Sequence, residues 1–101
     1  MPTEQDGDVR ELVLQIAKAL VDEPELVTVE ALDGSDGTVL ELRVAQRDLG
    51  KVIGKQGRTA RSLRTIIGAA SMKLRKRHTL EIIEDGLPGG ANSQRTSVGK
   101  D

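Results

Sequence analysis

Two glycines three residues apart, in the run Val52-Ile53-Gly54-Lys55-Gln56-Gly57-Arg58, restrict the folds open to this chain more than any other stretch. An apolar pair precedes them and a long arginine-rich helical pattern follows, so the chain must turn sharply between two helices. Glycine has no Cβ, so it takes positive φ without steric cost and lets another backbone come close. A helix starting after Gly57 points its unpaired N–H groups and the positive end of its dipole at the loop. Lys55 and Arg58 add full positive charge there. A loop built this way suits a phosphate lying across it. The same spacing also serves a plain tight turn between helices, so the rest of the chain has to decide.

Charge is distributed very unevenly. Residues 47–78 carry ten basic side chains against the single acid Asp48, a local net of +9 in a chain whose total is −1. Residues 1–46 carry three basic against eleven acidic, a net of −8. A basic face on an acidic body sets the field that a polyanion meets, whatever the total. There is no Phe, Trp or Tyr, so base stacking on aromatic rings is excluded and the core must be aliphatic. With no Cys there is no disulfide, thiolate zinc site or cysteine nucleophile. No signal-like segment or membrane-length apolar run is seen, and a cytoplasmic protein without membrane, metal or cofactor is expected.

At 101 residues the chain supports one compact domain. Residues 1–7 read as a flexible polar lead-in. Val9, Leu12, Val13, Ile16, Ala17 and Leu20 then mark one face of a helix, with Asp8 as cap and Glu11 completing a capping box. Residues 26–32 and 38–44 read as two strands joined by the five-residue turn 33–37. Asp48 is expected to cap a short helix carrying Leu49, Val52 and Ile53. A longer helix runs from about Arg58 to Lys76, with Leu63, Ile66, Ile67, Ala70 and Leu74 inward and Arg58, Arg61, Ser62, Arg64 and Thr65 outward. Thr79 to Glu84 forms a last strand, and residues 85–101 read as a disordered tail. The order α-β-β-α-α-β predicts an α+β fold, a three-stranded mixed sheet with helices packed on one face and the other face partly open.

That order, with Ile53-Gly54-Lys55-Gln56-Gly57 between the second and third helices, resembles a type II KH domain. The run Leu49-Gly50-Lys51-Val52-Ile53-Gly54-Lys55-Gln56-Gly57-Arg58-Thr59-Ala60 is similar to the small bacterial single-domain KH proteins of the KhpA family. Glu11-Leu12-Val13 through Ala19-Leu20-Val21-Asp22 and Leu80-Glu81-Ile82-Ile83-Glu84 resemble it too, so the likeness covers residues 8–84. It implies a single-stranded RNA-binding protein, an RNA chaperone or post-transcriptional regulator. The implied partners are a second copy, as a homodimer, or a KhpB/Jag-type RNA-binding protein, with effects on cell-envelope homeostasis and cell length.

Carried over residue by residue, Gly54 and Gly57 let the RNA backbone approach, while Lys55, Gln56 and Arg58 meet phosphate oxygens. Arg61 and Arg64 extend the phosphate track. Val52 and Ile53, with Leu42 or Val44, are candidates for an apolar groove under the bases, although apolar residues at helical spacing more often face the core. Lys73 to Arg77 lie roughly 20–25 Å along the helix from the loop and read as favourable charge at a helix C-terminus. His78 has no partners spaced for metal or triad chemistry. The glycine loop is not a Walker A sequence, because no Lys-Ser/Thr pair follows at the required spacing, and no nucleophile–base pair is evident, so an enzyme is not expected. A backbone clamp barely separates ribose from deoxyribose, so single-stranded DNA stays open as a ligand. So does a protein-interaction module, which would have no need of Lys55 and Arg58.

Overall fold

The computed structural model describes residues 4–84 of the chain. Helix α1 spans Glu4–Leu20, strand β1 Thr28–Gly34, strand β2 Gly37–Arg43, helix α2 Leu49–Ile53, helix α3 Arg58–Leu74 and strand β3 His78–Ile82. The element order is the α-β-β-α-α-β expected. Single 3₁₀ turns at Pro24–Leu26, Gln46–Asp48 and Lys55–Gly57 join the pieces. None of the described helices is long and apolar enough to cross a membrane. The expected tail, 85–101, lies outside the described residues.

The sheet has the order β1-β2-β3, with β1 and β2 antiparallel and β2 and β3 parallel. A parallel pair needs a crossover, and α2 with α3 supplies it. Burial alternates along each strand, as the two-residue period of a one-sided sheet demands. Val29, Leu40, Leu42, Leu80 and Ile82 point inward and meet Val9, Val13 and Ala17 of α1, Val52 of α2, and Ala60, Leu63 and Ile67 of α3. This core is entirely aliphatic, and it settles two of the groove candidates: Leu42 and Val52 have no exposed surface and belong to it. The inward stripes are narrower than the sequence implied, because Leu12, Leu20 and Ile66 stay largely exposed. On the outer face, Glu30, Glu41 and Glu81 stand in register across the three strands.

Four local readings change. The hairpin loop is two residues, Ser35 and Asp36, because Asp33 and Gly34 continue β1 and Gly37 and Thr38 begin β2. The Thr38 hydroxyl donates to Asp33 Oδ1 at 3.1 Å, which brings the turn-prone Asp33 into a cross-strand pair. Asp48 precedes α2 but makes no capping bond. Its fully buried carboxylate instead accepts the Glu23 backbone N–H at 2.9 Å, tying the end of α1 to the start of α2. Helix α3 stops at Leu74, where Arg75 takes a left-handed conformation with φ 58°.

The fourth change is at the N-terminus. Helix α1 begins at Glu4, so Asp8 lies inside it and is no cap, and the lead-in carries a core residue. Asp6 is completely buried. Its Oδ1 accepts a hydrogen bond from His78 Nε2 at 2.7 Å, and its Oδ2 accepts one from Lys76 Nζ at 2.7 Å. Lys76 also lies 3.3 Å from Asp33, so it bridges α1 and the hairpin rather than serving the helix terminus. His78 Nδ1 faces Ser71 Oγ at 3.3 Å. Asp6, His78 and Ser71 thus align in the order of a hydrolase triad. The Ser71 hydroxyl is already committed, donating to the Ile67 carbonyl and accepting from the His78 N–H, both at 2.9 Å, so the cluster is a structural lock.

Candidate nucleic-acid interface

The glycine loop takes the form its sequence requires. Gly54 has φ 80° and ψ 168°, and Gly57 has φ 74° in the left-handed region. A Cβ on Gly54 would lie 2.7 Å from the Thr59 Cβ and backbone N, so α3 starts directly against this glycine. Between them Gln56 is also left-handed, with φ 57°, which turns its side chain outward on an exposed tip. The Gly57 N–H closes the turn on the Gly54 carbonyl at 3.0 Å. Helix α3 then opens with no side-chain cap. The Arg58 N–H is taken by the Lys55 carbonyl, and the positive end of the α3 dipole points at the loop.

The basic side chains of residues 47–64 fall into three groups. Lys55, Arg58 and Arg61 are exposed at the loop, and among the described residues no carboxylate pairs with them. Arg58 donates to Gln56 Oε1 and Arg61 to the Gln56 carbonyl, both at 3.3 Å, so two guanidiniums gather around the loop tip. Arg47 and Lys51 are neutralised instead, Arg47 by Glu23 at 2.6 Å and Lys51 by Asp22 at 3.4 Å. Arg64 stands apart. It is half-buried against β3, where burial lowers the pKa of its guanidinium and the charge of Glu81 opposes that shift. Its Nη1 is buried without a hydrogen-bond partner. Ile53 is partly buried against the core at the end of α2.

Farther along α3, that helix and β3 enclose a groove of about 350 Å³. Arg64, Gly68 and Ser71 line it from the helix, and Arg77 and Thr79 from the strand side, over a floor of Ile67 and Leu80. Arg77, beyond the C-terminal end of α3, lines this groove, and so do Gly68 and Thr79, which carry no motif of their own. A glycine in the middle of a helix was the available signal for Gly68, since that residue weakens helices. Among the described residues no group of three His, Cys, Asp or Glu side chains could hold a metal ion.

The model of the KhpA/KhpB KH domain matches residues 10–82, which take in the loop, both flanking helices and all three strands. The chain belongs to that KH-domain family. Relatives named RNA-binding protein KhpA bear this out. The one from Caldanaerobacter subterraneus subsp. tengcongensis is 53% identical over 73 residues, covering 72% of this chain and 97% of its own. Those from Clostridium perfringens and Borreliella burgdorferi are 51% and 45% identical, over 74% and 77% of this chain and 100% and 95% of theirs. No solved structure matches the chain. Family membership thus covers the part of the chain in which the sequence resemblance was found.

Proposed function

We propose that this protein binds single-stranded RNA in the cytoplasm by clamping its backbone across the Gly54–Gly57 loop. The observation that carries the reading is the set of three unpaired cations, Lys55, Arg58 and Arg61, around an uncapped helix N-terminus where two glycines admit a second backbone. An interaction-only module has no use for such a concentration of uncompensated charge. Lys55 and Arg58 meet phosphate oxygens directly, and Arg61 extends the track while steadying the Gln56 peptide. The names of the relatives support RNA over DNA. Single-strand affinity should fall with salt, with a log–log slope of about −0.7 per phosphate neutralised. Two to four contacts then give a slope of roughly −1.5 to −3. A titration of short RNA across a salt series reads it, and a flat dependence would remove the clamp.

One KH domain engages about four nucleotides, so useful affinity calls for a second domain, in a homodimer or with a KhpB/Jag-type protein. Such pairing fits a role as RNA chaperone or post-transcriptional regulator acting on cell-envelope homeostasis and cell length. Apolar surface left on the helical side supports it. Leu12 of α1 lines a shallow groove with Ala70 and Leu74 of α3, and the exposed Ile66 lies one turn from Ala70 on the same helix. Light scattering should show self-association, or a pull-down a second RNA-binding protein. A strict monomer at high concentration with no RNA-binding protein retained would dispose of the pairing.

A further inference from the structure

The groove between α3 and β3 has two features that the protein's own packing does not account for. The first is Arg64 Nη1, a buried donor with no partner. Leaving such a donor unpaired is costly, and nearly all are satisfied in native structures. The second is Gly68, eleven residues into a 17-residue helix. A Cβ built there meets nothing within 4 Å, and the residue is not among those with positive φ. Neither backbone conformation nor crowding therefore requires glycine, which weakens the helix relative to alanine. Arg64 and Gly68 both line the groove and are four residues apart, hence neighbours on one face of α3.

We infer that this groove is the base-reading half of the RNA site, where one guanine lies with its face on the bare backbone at Gly68 and its O6 and N7 accept from Arg64. This rests on the RNA-binding reading above. The chain has no aromatic ring on which a base could stack, so a flat surface has to come from elsewhere. A helix stripped of one side chain provides it. Arg64 lies roughly 9 Å along α3 from Arg58, a distance that suits a strand whose backbone is held at the loop while its bases turn toward the sheet edge. Guanidinium is a donor only, in a rigid fork. Guanine presents two adjacent acceptors to such a fork, whereas adenine places its N6 amine where one acceptor should be. With adenine, donor would face donor and the Arg64 N–H would stay unsatisfied. Ser71 cannot substitute as the reader, because its hydroxyl is committed within the protein. Arg64 is then a specificity residue and not a member of the phosphate track.

The test is selection of random-sequence RNA by the full chain, followed by titration of a selected strand and its single guanine-to-adenine variants, with thermal melts of every protein. The parent should favour guanine at one position by about tenfold, equivalent to 1.4 kcal/mol. Arg64→Gln should bring that ratio to about one, and Arg64→Lys should not restore it, since an ammonium lacks the fork. Gly68→Ala should melt at or above the parent's temperature and yet bind the selected strand more weakly. A guanine preference that survives in Arg64→Gln, or undiminished binding by Gly68→Ala, would overturn the inference. A parent that binds RNA with the expected salt slope but without base preference would overturn it and leave the RNA clamp standing. A parent that binds no RNA would overturn both.

Discussion

Replacing Lys55 and Gln56 together with aspartate should weaken RNA binding by at least about thirty-fold while the protein melts as before. Loss of a charge-assisted contact costs about 1.5–3 kcal/mol and of a neutral one about 0.5–1.5, and 1.4 kcal/mol is a decade in affinity. The structure adds a reason for a larger effect. Arg58 and Arg61 already bond to Gln56, so an aspartate there recruits both guanidiniums into internal ion pairs and withdraws them from phosphate. Folding should not suffer, because both side chains are exposed and Gln56 has φ 57°, a conformation aspartate accepts better than most residues. Melting beside an anisotropy titration decides it. A double variant that melts normally and binds like the parent reduces the loop to a turn.

Asp6→Ala should lower stability by about 3–5 kcal/mol, the usual consequence of removing one partner of a buried charged pair. For a domain of this size that is a fall in Tm of more than about 10 °C. Asp6 is wholly buried and bonds both His78 and Lys76, so its loss leaves the buried His78 Nε2 without its acceptor and Lys76 with Asp33 alone, at the junction where α1, the hairpin and β3 meet. The cluster also has a pH signature. Lys76 is raised above its usual 10.5, chiefly by its bond to Asp6, then by Asp33. Its contribution to stability is therefore complete below 10.5 and lost as pH rises through the higher folded value. Asp33 is lowered from 3.8, first by Lys76 and then by the Thr38 hydroxyl. Its contribution is complete above 3.8 and lost as pH falls through the lower folded value. Denaturant melts across pH should therefore show one loss of stability below 3.8 and another above 10.5 from these two groups. Asp6→Ala should take a large part of the alkaline fall away, and a variant that melts like the parent would show that the lock contributes nothing.

Element order and the glycine loop were legible because each rests on a local signal: the 3.6-residue stripe of α1, the two-residue alternation of β2, and a Gly-x-x-Gly run between apolar and basic segments. What escaped depended on partners distant in sequence. Asp6 lay in a polar stretch with nothing to set it apart, and its partners are about seventy residues away. Asp48 had the identity and position of a cap but was claimed by the Glu23 backbone. Asp33 has turn propensity, and the hairpin used it in its ladder because the Thr38 hydroxyl could bond to it across the strands. Arg64 shows the limit of helical periodicity. The period separates inward from outward, but not the outward flank that runs beside a sheet edge from the one open to water.

The row of Glu30, Glu41 and Glu81 gives the molecule a handedness toward polyanions. Neighbouring strands lie about 4.8 Å apart, so these carboxylates stand side by side across the outer face of the sheet, with Arg43 paired to Glu41 at 3.4 Å. Acidic side chains crowded there add to the negative half of the chain, while the cations at the loop attract phosphate. Net charge near zero then conceals a dipolar molecule, one that turns its basic segment toward an approaching polyanion.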